Sequence, residues 1–137
     1  MLKNLFLPVE IGNVKIPNRL VVPAMVTNYC HGDGTATERY IAYHEAKAKG
    51  GWGLILTEDY AVDPKGKGFP NIPGLWNDSQ IESHSVLTRR IHDHGGKIFA
   101  QIYHAGRQTS KALIGNQPVA PSPIPCPRFQ EIPTHLR

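Results

Sequence analysis

Three groups of polar or special residues stand directly behind short apolar runs. Pro23-Ala24-Met25 follows Leu20-Val21-Val22, Thr57-Glu58-Asp59 follows Leu54-Ile55-Leu56, and Gln101-Ile102-Tyr103-His104 follows Ile98-Phe99-Ala100. The amide of Gln101 both donates and accepts, which suits a heterocycle with alternating N–H and C=O groups; the competing reading is a buried glutamine satisfied by backbone. A proline, a small residue and a methionine at positions 23 to 25 let backbone groups approach a flat ligand, although on these residues alone a plain turn is the stronger reading. Glu58 could hold a ligand, act as a base, or pair with an arginine of the interior, and the structural ion pair is favoured. His104-Ala105-Gly106-Arg107 sets a titratable ring and a guanidinium either side of a glycine, which fits anion contact, a subunit interface or a simple loop cap.

Other chemistries find no support. His92 and His94 are two apart, so on a helix they point in different directions. Cys30 and Cys126 are the only cysteines and have no metal-ligand spacing, so neither a metal site nor a disulfide framework is expected. Gly66-Lys67-Gly68 lacks the spacing of a phosphate-binding Walker loop, and no G-x-G-x-x-G occurs.

The elements that must carry these residues are legible from periodicity. Val9–Ile11 and Val14–Ile16 alternate around Gly12-Asn13, predicting a β-hairpin. Arg19 to Val22, Gly53 to Thr57 and Lys97 to Ile102 read as buried strands. Between the first two, Thr35 and Glu38 have capping-box spacing, Tyr40, Ile41, His44 and Ala48 recur on one face, and Gly50-Gly51 ends a helix. Between the second and third, Ser79 and Glu82 repeat the capping box, Ile81, His84, Leu87 and Ile91 form the face, and Gly95-Gly96 is the stop. A repeated strand–helix unit gathers ligands at the carboxyl ends of its strands, where the three polar groups stand. The Gly- and Pro-rich stretch from Asp59 to Trp76 is long for a strand–helix connection, and the residues after His104 show no sustained period.

Composition bounds the rest. The chain has 137 residues, Lys+Arg 15 against Asp+Glu 11 for a net charge of +4, and 40% hydrophobic residues. That is enough for one ordinary domain, whereas a closed (β/α)8 barrel needs about 250 residues. The basic residues are scattered, so a solvated surface is expected and nucleic-acid binding is not. The apolar start is too short for a signal peptide and no run nears the ~20 residues of a membrane span, so no membrane contact and a cytoplasmic location are expected.

Four motifs, in order and at suitable intervals, carry a resemblance. They are Asn18-Arg19-Leu20-Val21-Val22-Pro23-Ala24-Met25, Gly53-Leu54-Ile55-Leu56-Thr57-Glu58, Gly74-Leu75-Trp76 and Gln101-Ile102-Tyr103-His104-Ala105-Gly106-Arg107. Together they resemble the N-terminal part of the old yellow enzyme family of flavin oxidoreductases, in its NADH:flavin oxidoreductase and 2-enoate reductase branch. The resemblance spans essentially the whole chain. It implies residues 1–137 as a partial FMN-binding domain: the hairpin and about three βα units of an α/β (β/α)8 TIM barrel, not closed. The hairpin would plug the amino-terminal end of that barrel. Pro23, Ala24, Met25 and Val26 would lie against FMN, Asp59 would approach it, and Gln101 would contact its pyrimidine end. The family passes hydride from NADH or NADPH through flavin to the alkene of an α,β-unsaturated carbonyl compound, an enone or enoate.

Three positions depart from the pattern. Val26 stands where many members have cysteine or threonine, Asn28 where one subgroup has a substrate-contacting tyrosine, and Asp59 where a small residue is common. A carboxylate at 59 would disfavour an anionic reduced flavin. The family's substrate-carbonyl pair, proton-donating tyrosine and phosphate loops lie beyond its third strand, so no catalytic residue is expected in this portion and the isolated chain is expected to be inactive. Open strand edges predict a homo-oligomer. The alternatives are a different TIM-barrel enzyme on the same scaffold, or a non-catalytic self-associating module.

Overall fold

The computed structural model describes residues 2–136. The chain enters through a hairpin, β1 (Val9–Ile11) against β2 (Val14–Ile16), antiparallel with Val9 opposite Ile16. Gly12 holds the turn at φ +56°, a left-handed conformation open to glycine at little cost. Asn18 then ties the start of the first parallel strand to the start of the second. Its Oδ1 accepts from the Leu20 N–H (3.0 Å) and the Gly53 N–H (3.1 Å), and its Nδ2 donates to Gly51 O (2.8 Å). A side chain at position 53 would put its Cβ 2.7 Å from Asn18 Oδ1, so the close approach needs glycine.

The three parallel strands lie in the order β3-β4-β5: β3 is Val21–Val22, β4 is Leu54–Ala61 and β5 is Lys97–Tyr103. Val21 and Val22 pair with Leu54 and Ile55, which pair in turn with Lys97 and Ile98. β3 begins two residues later than the predicted Arg19–Val22 because the Arg19 N–H donates to Leu5 O (2.9 Å) and the Leu20 N–H to Asn18 Oδ1 instead of to a neighbouring strand. β4 runs four residues past the predicted end at Thr57, since the chain bulges at that point and then resumes pairing.

The crossovers are helices α1 (Glu38–Lys49) and α2 (Ile81–Asp93). Neither uses the predicted capping box. Thr35 is held by Asp33, whose Oδ1 accepts from both its N–H and its hydroxyl, and Thr37 caps α1 by accepting from the Tyr40 N–H. Before α2, Asn77 and Gln80 form the reciprocal box around a short 3-10 turn at Asp78–Gln80. His84, Leu87 and Ile91 are buried as predicted, but Ile81 is exposed at the start of the helix. The core joins β3 and β4 to both helices through Val22, Ile55, Tyr40, Ile41, Ala48, Leu87 and Ile91, with Cys30 from the first loop. Arg90 on α2 ties across to Glu38 (2.6 and 3.0 Å) and Glu45 (3.3 Å) on α1.

Beyond β5 the chain forms a short helix α3 (Lys111–Ile114) and a two-residue parallel pair, β6 (Val119–Ala120) with β7 (Thr134–His135). Among the described residues the three-stranded sheet does not close, and β3 and β5 each pair only with β4.

Candidate functional site

The site is organised by an irregularity in β4. Leu56 lies opposite Phe99 and Asp59 opposite Gln101, so Thr57 and Glu58 together face the single residue Ala100. Such a bulge breaks the alternation of a strand and re-aims its side chains. Thr57 and Glu58 are both buried, each about 1% exposed, and Asp59 is half-buried where pairing with β5 resumes.

Glu58 points to the loop after β3. Its Oε2 accepts from the backbone N–H of Thr27 (3.0 Å) and of Asn28 (3.2 Å), and its Oε1 accepts a short bond from the Thr27 hydroxyl. Among the described residues this replaces the arginine ion pair expected from sequence: hydrogen-bond donors of the loop, not a cation, stabilise the carboxylate. Burial pushes the Glu58 carboxyl above its ordinary range, opposed by the Thr27 and Asn28 hydrogen bonds.

Asn28 sits at φ +60°, an uncommon conformation for a residue with a side chain. Its Oδ1 accepts from the Asn71 N–H (2.7 Å), and Cys30 N–H donates to Asn71 O (3.0 Å). Lys67 Nζ donates to Gly32 O (2.8 Å). The long connection from Asp59 to Trp76 is therefore zipped to the first loop, which accounts for its length.

Of the predicted contact residues, Met25 and Val26 are 50% and 37% exposed, Pro23 is exposed and Ala24 half-buried. The backbone N–H groups of Ala24, Met25 and Val26 have no partner among the described residues. Gln101 is exposed, which removes the reading of a buried, backbone-satisfied glutamine. Its Nε2 donates to Asp59 Oδ1 (2.6 Å) and its N–H donates to Thr57 Oγ1 (3.3 Å). That leaves the Gln101 Oε1 and one amide hydrogen to face outward. Asp59 and Gln101 are thus in contact, and the loop carrying Met25 and Val26 is tied to the same strand through Glu58. Free N–H groups, an exposed apolar pair and an oriented amide are what a flat, polar-edged isoalloxazine requires, so the residues present fit FMN.

The His104–Arg107 segment serves as a loop cap. His104 Nδ1 accepts from the Gly106 N–H (3.0 Å), and Arg107 donates to Ile124 O (3.0 Å). Sequence reasoning passes over Thr27 and Thr57, whose roles depend on partners 31 and 44 residues away. It also misses the hydrogen bond behind the site between Tyr60 OH and His84 Nδ1 (2.9 Å). His84 Nε2 lies 3.0 Å from Gly34 O. A carbonyl only accepts, so Nε2 carries the proton and Nδ1 accepts from Tyr60. Burial lowers the His84 pKa, in keeping with a neutral ring.

Comparison with known proteins bears on the family and the fold. The NADH:flavin oxidoreductase / NADH oxidase family matches residues 4–132. The NADH oxidase of Thermoanaerobacter brockii is 46% identical over 125 residues, covering 90% of this chain and 19% of the relative. The NADPH dehydrogenase of Listeria monocytogenes serotype 4a is 35% identical over 136 residues, covering 98% of this chain and 39% of the relative. The solved old yellow enzyme homologue from Zymomonas mobilis superposes with a TM-score of 0.88 at 31% identity, over 98% of this chain and 40% of that one. The chain thus spans well under half the length of these relatives, and its open sheet is the N-terminal part of their TIM barrel. Flavin and a nicotinamide, NADH or NADPH, are the cofactors of this group. Among the described residues no helix is long and apolar enough to cross a membrane. With four motifs, the fold and the match over residues 4–132 in agreement, the chain belongs to the NADH:flavin oxidoreductase / NADH oxidase family, the old yellow enzyme group.

Proposed function

We propose that these residues form the near wall of an FMN site in an NAD(P)H-dependent oxidoreductase that reduces the activated C=C bond of an enone or enoate. The carrying observation is the Asp59–Gln101 contact, which holds an exposed amide in one orientation at a strand end. Bound FMN supplies the relay of hydride between nicotinamide and alkene. The chain's own residues bind and orient it. Gln101 presents Oε1 and an N–H to the pyrimidine edge. The N–H groups of Ala24, Met25 and Val26 offer donors along another edge, with Pro23 shaping the turn and the Met25 and Val26 side chains covering a face. Val26 has no hydroxyl or thiol to donate, so any bond from this position comes from its backbone. Asp59 orients Gln101 and sets a carboxylate beside the site.

The relatives' remaining barrel supplies what three strands lack, so the 137 residues alone do not turn over enones in this reading. FMN titration, followed by flavin fluorescence, tests the binding half. Gln101→Ala should weaken FMN about twofold to tenfold, the equivalent of roughly 0.5–1.5 kcal/mol for a lost hydrogen bond. An unchanged dissociation constant in a folded variant would remove Gln101 from the site. Repeated enone turnover by the isolated chain with NADH or NADPH and excess FMN would show instead that its site is complete.

A further inference from the structure

The β4 bulge directs a buried carboxylate at the loop that carries Met25 and Val26. Both Glu58 oxygens are engaged, and all three donors come from the consecutive residues Thr27 and Asn28. Those residues directly follow the exposed pair Met25-Val26, and Asn28 adopts the left-handed conformation at φ +60°. A carboxylate is well suited here because it is acceptor-only when ionised and can receive several N–H and O–H groups at once. An apolar residue here would leave the Thr27 and Asn28 N–H groups without this acceptor, so the carboxylate's contribution falls on the loop that carries those donors.

We propose that Glu58 is a positioning residue that fixes the 23–28 loop in its ligand-facing shape before any ligand arrives, so that FMN meets a preformed wall. The term ligand-facing rests on the function proposed above. A preformed loop spares binding the entropy of ordering those residues.

Single-residue amide hydrogen exchange on the ligand-free protein tests the idea without FMN. In Glu58→Met, which removes both acceptors at similar length, exchange at Thr27 and Asn28 should accelerate about tenfold or more, since bonds to a charged group contribute roughly 1.5 kcal/mol or above. The amides of Leu87 and Ile91 in α2 should keep their rates. Glu58→Gln should restore most of the protection. Its Oε1 can take the two backbone N–H groups, and its Nε2 can donate to a rotated Thr27 hydroxyl. A merely structural glutamate predicts a different pattern, with loop and α2 amides accelerating together. That result, or unchanged loop exchange in Glu58→Met, would overturn the proposal. Should Glu58→Met not fold, Thr27→Val removes one donor at nearly constant volume. Exchange at Thr27 and Asn28 should then rise severalfold, and no rise would equally overturn the proposal. FMN affinity supplies a separate arm: Glu58→Met should weaken it by a factor similar to the loop opening. If the unsubstituted protein takes up no FMN, the flavin reading fails, while the exchange data still decide whether Glu58 fixes the loop.

Discussion

Acid should weaken this fold through His44. The ring is 2% exposed on α1, between Tyr40 (4.7 Å between ring centroids) and Tyr43 (5.1 Å), both edge-on. Neither ring nitrogen has a hydrogen-bond partner among the described residues. Burial, with a smaller push from Lys47, lowers its pKa from 6.5 to about 4. The unfolded chain therefore binds a proton between pH 6.5 and 4 that the folded chain refuses, and stability must fall as pH falls through that window. The penalty is nearly absent at pH 7 and complete below pH 4. At 1.36 kcal/mol per unit it approaches about 3 kcal/mol in full, with about 2 kcal/mol already lost by pH 4.5. Urea unfolding of the native protein and of His44→Phe at pH 7 and 4.5 isolates this share, because the other titrating groups are common to both. The variant should lose about 2 kcal/mol less than the native protein over that interval. Parallel losses, or an imidazole seen by NMR to titrate near 6.5 in the folded state, would refute the reasoning.

Other perturbations probe the frame and the site. Asn18→Ala strands the Leu20 N–H and leaves the Gly53 N–H only its bond to Leu20 O (3.2 Å), so it should cost about 1–2 kcal/mol in denaturant unfolding, as for one lost partner; a cost under about half a kcal/mol would show that water replaces the side chain. β5 pairs on one side only among the described residues and Ile102 is 63% exposed, so we propose self-association along that edge. Sedimentation should show mass rising with concentration, and a compact monomer at high concentration would count against it. In the FMN-loaded protein, Asp59→Asn should raise the flavin midpoint potential, because it removes a negative charge beside a group that becomes anionic on reduction; an unchanged or lower potential would place Asp59 away from the flavin.

Periodicity is a good guide to the existence of the hairpin, both helices and all three strands, but not to burial: β5, expected to be a buried strand, has no buried residue, because only β4 flanks it among the described residues and its far end, with Ile102 63% exposed, faces outward. Periodicity is a poor guide to the caps. Thr35 and Thr37 both precede α1, and Asn77, Asp78 and Ser79 all precede the buried face of α2. Spacing cannot choose among neighbours that all accept hydrogen bonds. Competing local bonds and one tertiary contact make the choice: Asp33 takes Thr35 two residues on, and Gln80, accepting from Trp76 and Asn77, also reaches across to Asp33 O (2.6 Å). The polar cluster at the end of β4 is visible in the sequence, but the direction of each side chain is not. In a strand flanked by apolar residues on both faces the alternation has no phase to read, so a bulge leaves no mark in the sequence.

That bulge explains how one short stretch can serve three neighbours. In a regular strand Thr57 and Asp59 would share a face and Glu58 would take the other. With an extra residue opposite Ala100, the Thr57 hydroxyl instead accepts from the backbone of β5, Glu58 reaches the loop after β3, and Asp59 meets the Gln101 side chain. β4 is the central strand, paired with β3 at Leu54 and Ile55 and with β5 on either side of the bulge, so these groups project from backbone that is anchored just before and just after them. A site assembled on an edge strand would inherit the freedom of that edge. Here the edge strands β3 and β5 contribute the groups proposed to meet the ligand, while the central strand holds both in place. Positioning and contact are thereby divided among different residues, and substitutions in the two sets should separate in experiment: Gln101→Ala changes affinity with the loop still protected, whereas Glu58→Met changes both.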